Sequence, residues 1–169
     1  MIRNRSKTLL ASVAALPLVA LAVAGCGSAS SSVAPPTTKD GRAATIGVAN
    51  ESLGDVLVNT RGRTLYLFQK DSGTTSECTG ACAANWPPLR ANGSPMIGSG
   101  ANGSLLASTM RSDGSRQITY NNHPLYTFVK DTKAGDTNGE GLTAFGGTWY
   151  AISPAGNQVV AQPSSTGGY

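Results

Sequence analysis

The residues best suited to chemistry in this chain are two cysteines, Cys78 and Cys82, which are separated by three residues. This spacing can meet disulfide geometry in a tight turn, and the loop-entropy estimate for such a short loop is about 2 kcal/mol. A redox role or a zinc site, with His123 and a carboxylate as further ligands, is the alternative, and zinc requires reduced thiols. Ala83 follows Cys82, so the C-x-x-C-H haem motif is absent. The thioredoxin C-x-x-C spacing is absent as well, because three residues separate the cysteines.

His123 is the only histidine, and it lies in the turn-like run Asn121-Asn122-His123-Pro124. Blue copper needs two histidines with a cysteine, so that site is excluded. The sequence contains no G-x-S-x-G or H-E-x-x-H motif and no second histidine to act as a base. We therefore predict that the protein is not an enzyme, that it carries no cofactor, and that His123 is a solvated turn residue.

One acidic loop is similar to a calcium site, because the run from Asp136 to Gly141 matches the first half of an EF-hand loop. Position 12 of that loop would be Gly147 instead of glutamate, and no flanking helices are readable. The sequence favours an ordinary glycine-rich loop. Asp136, Asn138 and Glu140 remain candidate calcium ligands.

The N-terminus has the pattern of an export signal, in which Arg3, Arg5 and Lys7 precede an apolar run that ends at Ala24. An uncleaved anchor is the alternative, but Pro17 interrupts the run, which is shorter than the roughly 20 residues of a spanning helix. Removing residues 1–25 takes away three of the 13 basic residues and leaves a nearly neutral chain. Such a chain is not expected to bind nucleic acid.

The apolar run ends in Val23-Ala24-Gly25-Cys26, which resembles the lipobox of bacterial lipoproteins. The resemblance implies transfer of a diacylglyceryl group to the Cys26 sulfur, cleavage before it, and acyl chains such as palmitate that hold the protein on the extracytoplasmic face of a membrane. With Cys26 lipidated, Cys78 and Cys82 remain as a pair. Outside the cytoplasm that pair is expected to be oxidised.

Composition divides the rest of the chain. Residues 26–43 are rich in Ser, Ala, Pro and Thr, which predicts a flexible tether behind the lipid. Residues 44–161 form the predicted folded domain, and residues 162–169 form a short disordered tail.

The domain contains an internal repeat. Shifting the sequence by about 60 residues superposes residues 56–71 on residues 116–131, and each copy then runs to a tryptophan, Trp86 or Trp149. The copies span about 46–89 and 105–152. We predict one pseudo-twofold domain, a monomer, in which neither copy buries its apolar face alone.

The elements that must position these residues are β-strands. Tyr66 and Phe68 alternate with Leu65 and Leu67, and residues 125–129 alternate in the same way, so both faces of each strand should be covered. Turn residues at 60–62, 112–115 and 121–122 predict hairpins with Gly or Asn at positive φ. No amphipathic stretch of helical length follows residue 44, which predicts an all-β fold.

The run from Cys78 to Leu89, the Gly146-Gly147-Thr-Trp149 segment and a repeated Tyr-x-Phe-x-x-Asp motif together resemble the bacterial secreted-repeat lipoproteins of unknown function. That family is described by a Y-x-[FWY]-x-x-D motif and a C-x-G-x-C-A-x-x-W-P-P segment. The resemblance implies an exported, lipid-anchored repeat protein and assigns no catalytic residues. The family-motif positions here are Tyr66, Phe68, Asp71, Trp86, Tyr126, Phe128, Asp131 and Trp149.

The spacing of the motif has a structural interpretation. Tyr and Phe share one face of a strand, and Asp falls where the strand ends, so that it can accept hydrogen bonds from loop N–H groups. The alternative is a ligand surface made of two pairs, Tyr66 with Asp71 and Tyr126 with Asp131. Together the observations predict a lipid-anchored cell-envelope protein with a non-catalytic binding or structural role, whose ligand is unknown. A redox or metal-handling module that uses Cys78 and Cys82 is the alternative function.

Overall fold

A computed structural model of the chain describes residues 35–36, 45–91 and 93–159. The predicted signal segment, the lipidation site Cys26, most of the predicted tether and the predicted tail lie outside the described residues. Within the tether, Pro36 packs so closely on Gly47 that a Cβ atom at position 47 would lie 2.0 Å from the Pro36 Cβ. None of the helices in the described ranges is both long enough and apolar enough to cross a membrane.

The described residues form three antiparallel sheets, as the all-β prediction requires. The first pairs β1 (Ile46–Glu51) with β2 (Gly54–Asn59), the second has the order β3-β8-β7, and the third has the order β4-β5-β6. The other strands are β3 (Tyr66–Phe68), β4 (Leu106–Met110), β5 (Arg116–Tyr120), β6 (His123–Pro124), β7 (Thr143–Ala144) and β8 (Gly147–Ala151).

Two short helical segments accompany the strands. One is a five-residue α-helix, α1 (Ala81–Asn85), and the other is a single 3-10 turn (Gly103–Leu105). Residues 81–85 are too few for a helical hydrophobic period to be visible in the sequence. For this reason the sequence indicated only a tight turn between Cys78 and Cys82.

The predicted turn residues adopt the predicted backbone. Gly62 after β2 has φ 70°, and Gly114 between β4 and β5 has φ 77°. Asn121 and Asn122, between β5 and β6, have φ 48° and 64°, which asparagine tolerates better than most residues. These hairpins fix the register of the strands that carry the repeated motif.

The segment from Leu65 to Phe68, which includes β3, separates two buried clusters. Tyr66 and Phe68 face one cluster, and Leu65 and Leu67 face the other, as their alternation predicted. In the second copy the alternation ends one residue early, since Val129 is 44% exposed. Its N–H binds the Asn85 carbonyl where the chain leaves the core.

Candidate functional site

The two motif tyrosines lie directly opposite each other at the centre of the domain. Tyr66 N–H donates to the Tyr126 carbonyl at 2.9 Å, and Tyr126 N–H donates to the Tyr66 carbonyl at 3.0 Å. This reciprocal pair joins the two copies of the repeat through their backbones. Both side chains point into the same aromatic cluster and are fully buried.

The tyrosine hydroxyls bind the aspartates of the opposite copies. Tyr66 Oη donates to Asp131 Oδ2 at 2.7 Å, and Tyr126 Oη donates to Asp71 Oδ2 at 2.8 Å. The hypothesis of a ligand surface that pairs Tyr66 with Asp71 and Tyr126 with Asp131 is therefore wrong about the pairing, because each hydroxyl binds the aspartate of the other copy. Because the two tyrosines stand side by side, each ring reaches the loop that follows the other strand.

The same aspartates also cap the loops of their own copies, as the spacing predicted. Asp71 Oδ1 accepts the N–H of Glu77 at 2.8 Å, and Asp131 Oδ1 accepts the N–H of Asn138 at 3.0 Å. Each carboxylate therefore uses one oxygen for its own copy and the other for the opposite copy. We call these four residues, Tyr66, Asp71, Tyr126 and Asp131, the crossed Tyr–Asp pairs.

Four aromatic rings stack in a row beside the crossed Tyr–Asp pairs, in the order Phe68, Trp149, Trp86 and Phe128. Successive ring centroids lie 4.0, 3.9 and 4.1 Å apart, with interplanar angles of 7°, 4° and 21°. Consecutive rings come from alternating copies. Tyr66 meets Trp86 edge-on, and Tyr126 meets Trp149 edge-on. Each such contact typically contributes about 0.5–1.5 kcal/mol beyond area burial.

Burial determines the protonation of these groups. It raises the pKa values of the Tyr66 and Tyr126 hydroxyls, so both stay protonated and donate their hydrogen bonds. It also raises the pKa of Asp131, and it raises the pKa of Asp71 to about 6, although hydrogen bonds from Glu77 and Tyr126 act in the opposite direction. The neutral hydroxyls are unsuited to nucleophilic chemistry at neutral pH.

Cys78 and Cys82 form a disulfide that spans the start of α1, as predicted. Cys78 is fully buried and Cys82 is 6% exposed, and both belong to the aromatic cluster. Both sulfurs are therefore oxidised and shielded, which leaves no thiolate for a zinc ion.

Arg111, a residue that no sequence pattern indicated, supports this disulfide. Arg111, only 7% exposed, donates to the Cys78 carbonyl at 2.6 Å, to Ser76 Oγ at 2.7 Å and to Gln117 Oε1. Ser76 Oγ lies 2.7 Å from Tyr126 Oη, so this network reaches the crossed Tyr–Asp pairs. Arg111 directly follows β4 and looks like a surface turn residue in the sequence, which gave no signal of its burial.

The calcium candidates have separate roles within the loop that follows Asp131. Asp136 accepts the N–H groups of Thr132 and Lys133, Asn138 donates to Asp131, and Glu140 accepts the N–H of Ala151 at 2.6 Å. Across residues 45–91 and 93–159 no three His, Cys, Asp or Glu side chains form a group that could hold a metal ion.

Asp71 and His123, which are far apart in the sequence, line one cleft of about 320 Å³. Burial lowers the pKa of His123, so it is neutral at pH 7. The other side chains that line this cleft are Leu67, Phe68, Gln69, Asn157 and Gln158, none of which is a serine, cysteine, threonine or lysine nucleophile. The described side chains of this cleft can therefore offer hydrogen bonds to a ligand and include none of these nucleophiles.

The fold and the crossed pairs define an all-β protein built from two copies of one unit around a shared core. The family model for a secreted repeat of unknown function matches residues 47–90 and 107–153, just over half of the chain. The chain belongs to this family and is an exported protein, as the repeated motif indicated. The matched ranges begin and end within two residues of the predicted copies. Neither a curated protein nor a solved structure matches the chain.

Proposed function

We propose that the protein is a lipid-anchored component of the cell envelope with a non-catalytic binding or structural role. The observation that carries this proposal is that the family motif makes its contacts within the protein itself. Its aromatic residues and Asp131 are buried, and Asp71 is partly buried. The tyrosine hydroxyls bind the aspartate carboxylates, and the aromatic rings stack on one another. A motif used in this way keeps the fold together, and none of the described side chains that line the cleft with Asp71 and His123 is a serine, threonine, cysteine or lysine.

The anchor in this proposal is the acylated Cys26, which attaches the mature chain to the extracytoplasmic face of a membrane. The lipobox-like run before Cys26 and membership of a secreted family support it. The protein acts as a monomer, because each copy of the repeat already covers the motif face of the other. The membrane is its one proposed partner of known chemistry, and nucleic acid is not among its ligands.

The alternative of redox or metal handling at Cys78 and Cys82 gains no support from their position. A redox-active disulfide is expected to be accessible to a thiolate, whereas these sulfurs are buried among aromatic rings. Their proposed role is to fix α1.

Membrane retention of a Cys26→Ala variant tests the anchor. We expect the native protein in the detergent phase of a detergent partition and the cleaved variant in the aqueous phase, because the lipid is its only proposed anchor. The double variant Cys78→Ala/Cys82→Ala serves as the matched control and should remain in the detergent phase. A cleaved Cys26→Ala protein that is still retained by detergent would overturn the proposed anchor.

Metal analysis and a visible absorption spectrum of protein purified from its own host test the non-catalytic role. We expect no visible band and no stoichiometric metal. A bound metal in a one-to-one ratio would favour the metal-handling alternative.

A further inference from the structure

A second cleft, of about 310 Å³, lies beside the turn between β2 and β3 and has a basic lining. Three arginines line it, Arg61, Arg63 and Arg90, together with Asn59 and three threonines. No acidic residue is among the described residues that line it. We call this the arginine cleft.

The turn holds two of the arginines in place. Asn59 Oδ1 accepts the N–H groups of Arg61 at 2.9 Å and of Arg63 at 3.1 Å, and Gly62 between them has φ 70°. An asparagine side chain that accepts two N–H groups in this way rigidifies the loop. Both arginines are therefore presented from one fixed turn.

The charges on these two arginines have no carboxylate partner among the described residues. The Arg63 guanidinium donates to the backbone carbonyls of Asp131 and Thr132, which orient it without neutralising it. Arg61 is exposed and forms no side-chain hydrogen bond or salt bridge within the described part of the chain. Arg90 alone has an acidic neighbour, Asp113 at 3.4 Å, in a pair that is about half exposed and therefore weak.

The second copy of the repeat carries no arginine at the two corresponding places. At the shift that superposes the copies, Asn121 and His123 occupy the places of Arg61 and Arg63. His123 lines the other cleft, whose described lining contains neither arginine nor lysine. Leu65, Tyr66 and Phe68 recur as Leu125, Tyr126 and Phe128, whereas the cleft positions differ in charge.

We propose that the arginine cleft binds the phosphate group of a small phosphate ester. Guanidinium groups match phosphate oxygens with paired N–H donors, and the threonine hydroxyls and the asparagine amide at the cleft offer further hydrogen bonds. The volume lies near the lower end for small-molecule sites, which suits a headgroup-sized ligand. A free phosphate ester and the headgroup of an anionic phospholipid share this chemistry. Neither the site nor its ligand depends on the lipid anchor proposed above.

Calorimetric titration of the full chain in a neutral detergent tests this site. The probes are glycerol 3-phosphate and a short-chain phosphatidic acid below its micellar concentration. We expect saturable binding that Arg61→Gln weakens about tenfold, because one charge-assisted contact is lost. Arg61 is exposed, so this variant should fold normally, and an unchanged unfolding midpoint verifies it.

Lys70→Gln is the matched control, since it removes one exposed positive charge that does not line the arginine cleft. Its affinity should stay within twofold of the native value. Absence of saturable binding to both probes would overturn the proposal, and so would an equal loss in the two variants. Tighter binding of phosphatidic acid identifies the lipid headgroup as the source, and equal binding of both probes identifies a free ester.

Discussion

Asp71 and Asp131 each accept hydrogen bonds on both carboxylate oxygens, which an asparagine could not do. One oxygen accepts a loop N–H of its own copy, and the other accepts the tyrosine hydroxyl of the opposite copy. A carboxylate offers two acceptor oxygens, whereas an asparagine amide offers one acceptor and a donor group. The need for two acceptors explains why aspartate stands at both positions.

Double-mutant cycles distinguish the crossed arrangement from pairing within a copy. Tyr66→Phe combined with Asp131→Asn should show a coupling energy of about 1 kcal/mol or more, because the two side chains share a buried hydrogen bond. Tyr66→Phe combined with Asp71→Asn should be additive within about 0.5 kcal/mol. Denaturant unfolding of the single and double variants gives both values. A larger coupling for Tyr66 with Asp71 would show that the pairs are not crossed.

The pKa of Asp71 predicts a pH dependence of stability. Burial raises this pKa to about 6, above the value of about 3.9 in an unfolded chain, so the folded state binds more protons between these limits. The contribution of Asp71 should therefore fall as pH rises from about 4 to about 6 and then stay level. Asp71→Asn should remove this part of the slope, as urea unfolding at several pH values would show. Identical pH profiles of the two proteins would contradict the assignment.

The strands could largely be predicted from their residue types, because alternation in Leu65 to Phe68 reports burial on two faces. The hairpin turns followed from Gly62 and the Asn121-Asn122 pair. The partners of the tyrosines could not be predicted in this way, because spacing within one copy does not say which copy supplies the aspartate. Helix α1 is held by its disulfide and is too short to form from propensity alone.

Removal of the disulfide tests that support for α1. Cys78→Ala/Cys82→Ala should lower the free energy of unfolding by about 2 kcal/mol, because the unfolded chain regains the entropy of a short closed loop. Urea unfolding measures the change. In the native protein both cysteines should resist thiol alkylation until a reductant is added together with a denaturant, since the sulfurs are buried. Alkylation of both residues in unreduced native protein would show that the bond is absent.

The whole domain has one core because its aromatic stack alternates between the copies. Phe68 of the first copy contacts Trp149 of the second, and Trp86 of the first contacts Phe128 of the second. Separating the copies would expose a face of every ring in this stack. This loss is far larger than a unit of about 45 residues can offset with its own small core.

Expression of residues 44–100 alone tests this dependence. We expect the fragment to show no cooperative unfolding transition, because its aromatic residues have lost their partners from the second copy. Residues 44–161 are the matched control and should unfold in one transition. A cooperative transition from the shorter fragment would mean that each copy folds by itself.

The arginine cleft could not be predicted from the sequence, because overall charge does not report a local cluster of charges. Without the predicted signal segment, residues 1–25, the chain is nearly neutral, so composition gave no sign of a local basic site. Arg61 and Arg63 are close in sequence and were a readable signal, but Arg90 joins them only through the fold. Net charge describes the molecule, whereas binding depends on a few neighbouring side chains.

The crossed Tyr–Asp pairs have a consequence for the way a two-copy chain arises from a single-copy chain. In a chain with a single copy, the tyrosine and the aspartate could form the crossed hydrogen bonds only with a second such chain. Two single-copy chains would therefore form an isologous dimer with the tyrosines next to its twofold axis. Gene duplication that joins such partners removes the symmetry constraint outside the core. Each half can then mutate separately, so that one turn carries two arginines and the corresponding turn carries asparagine and histidine.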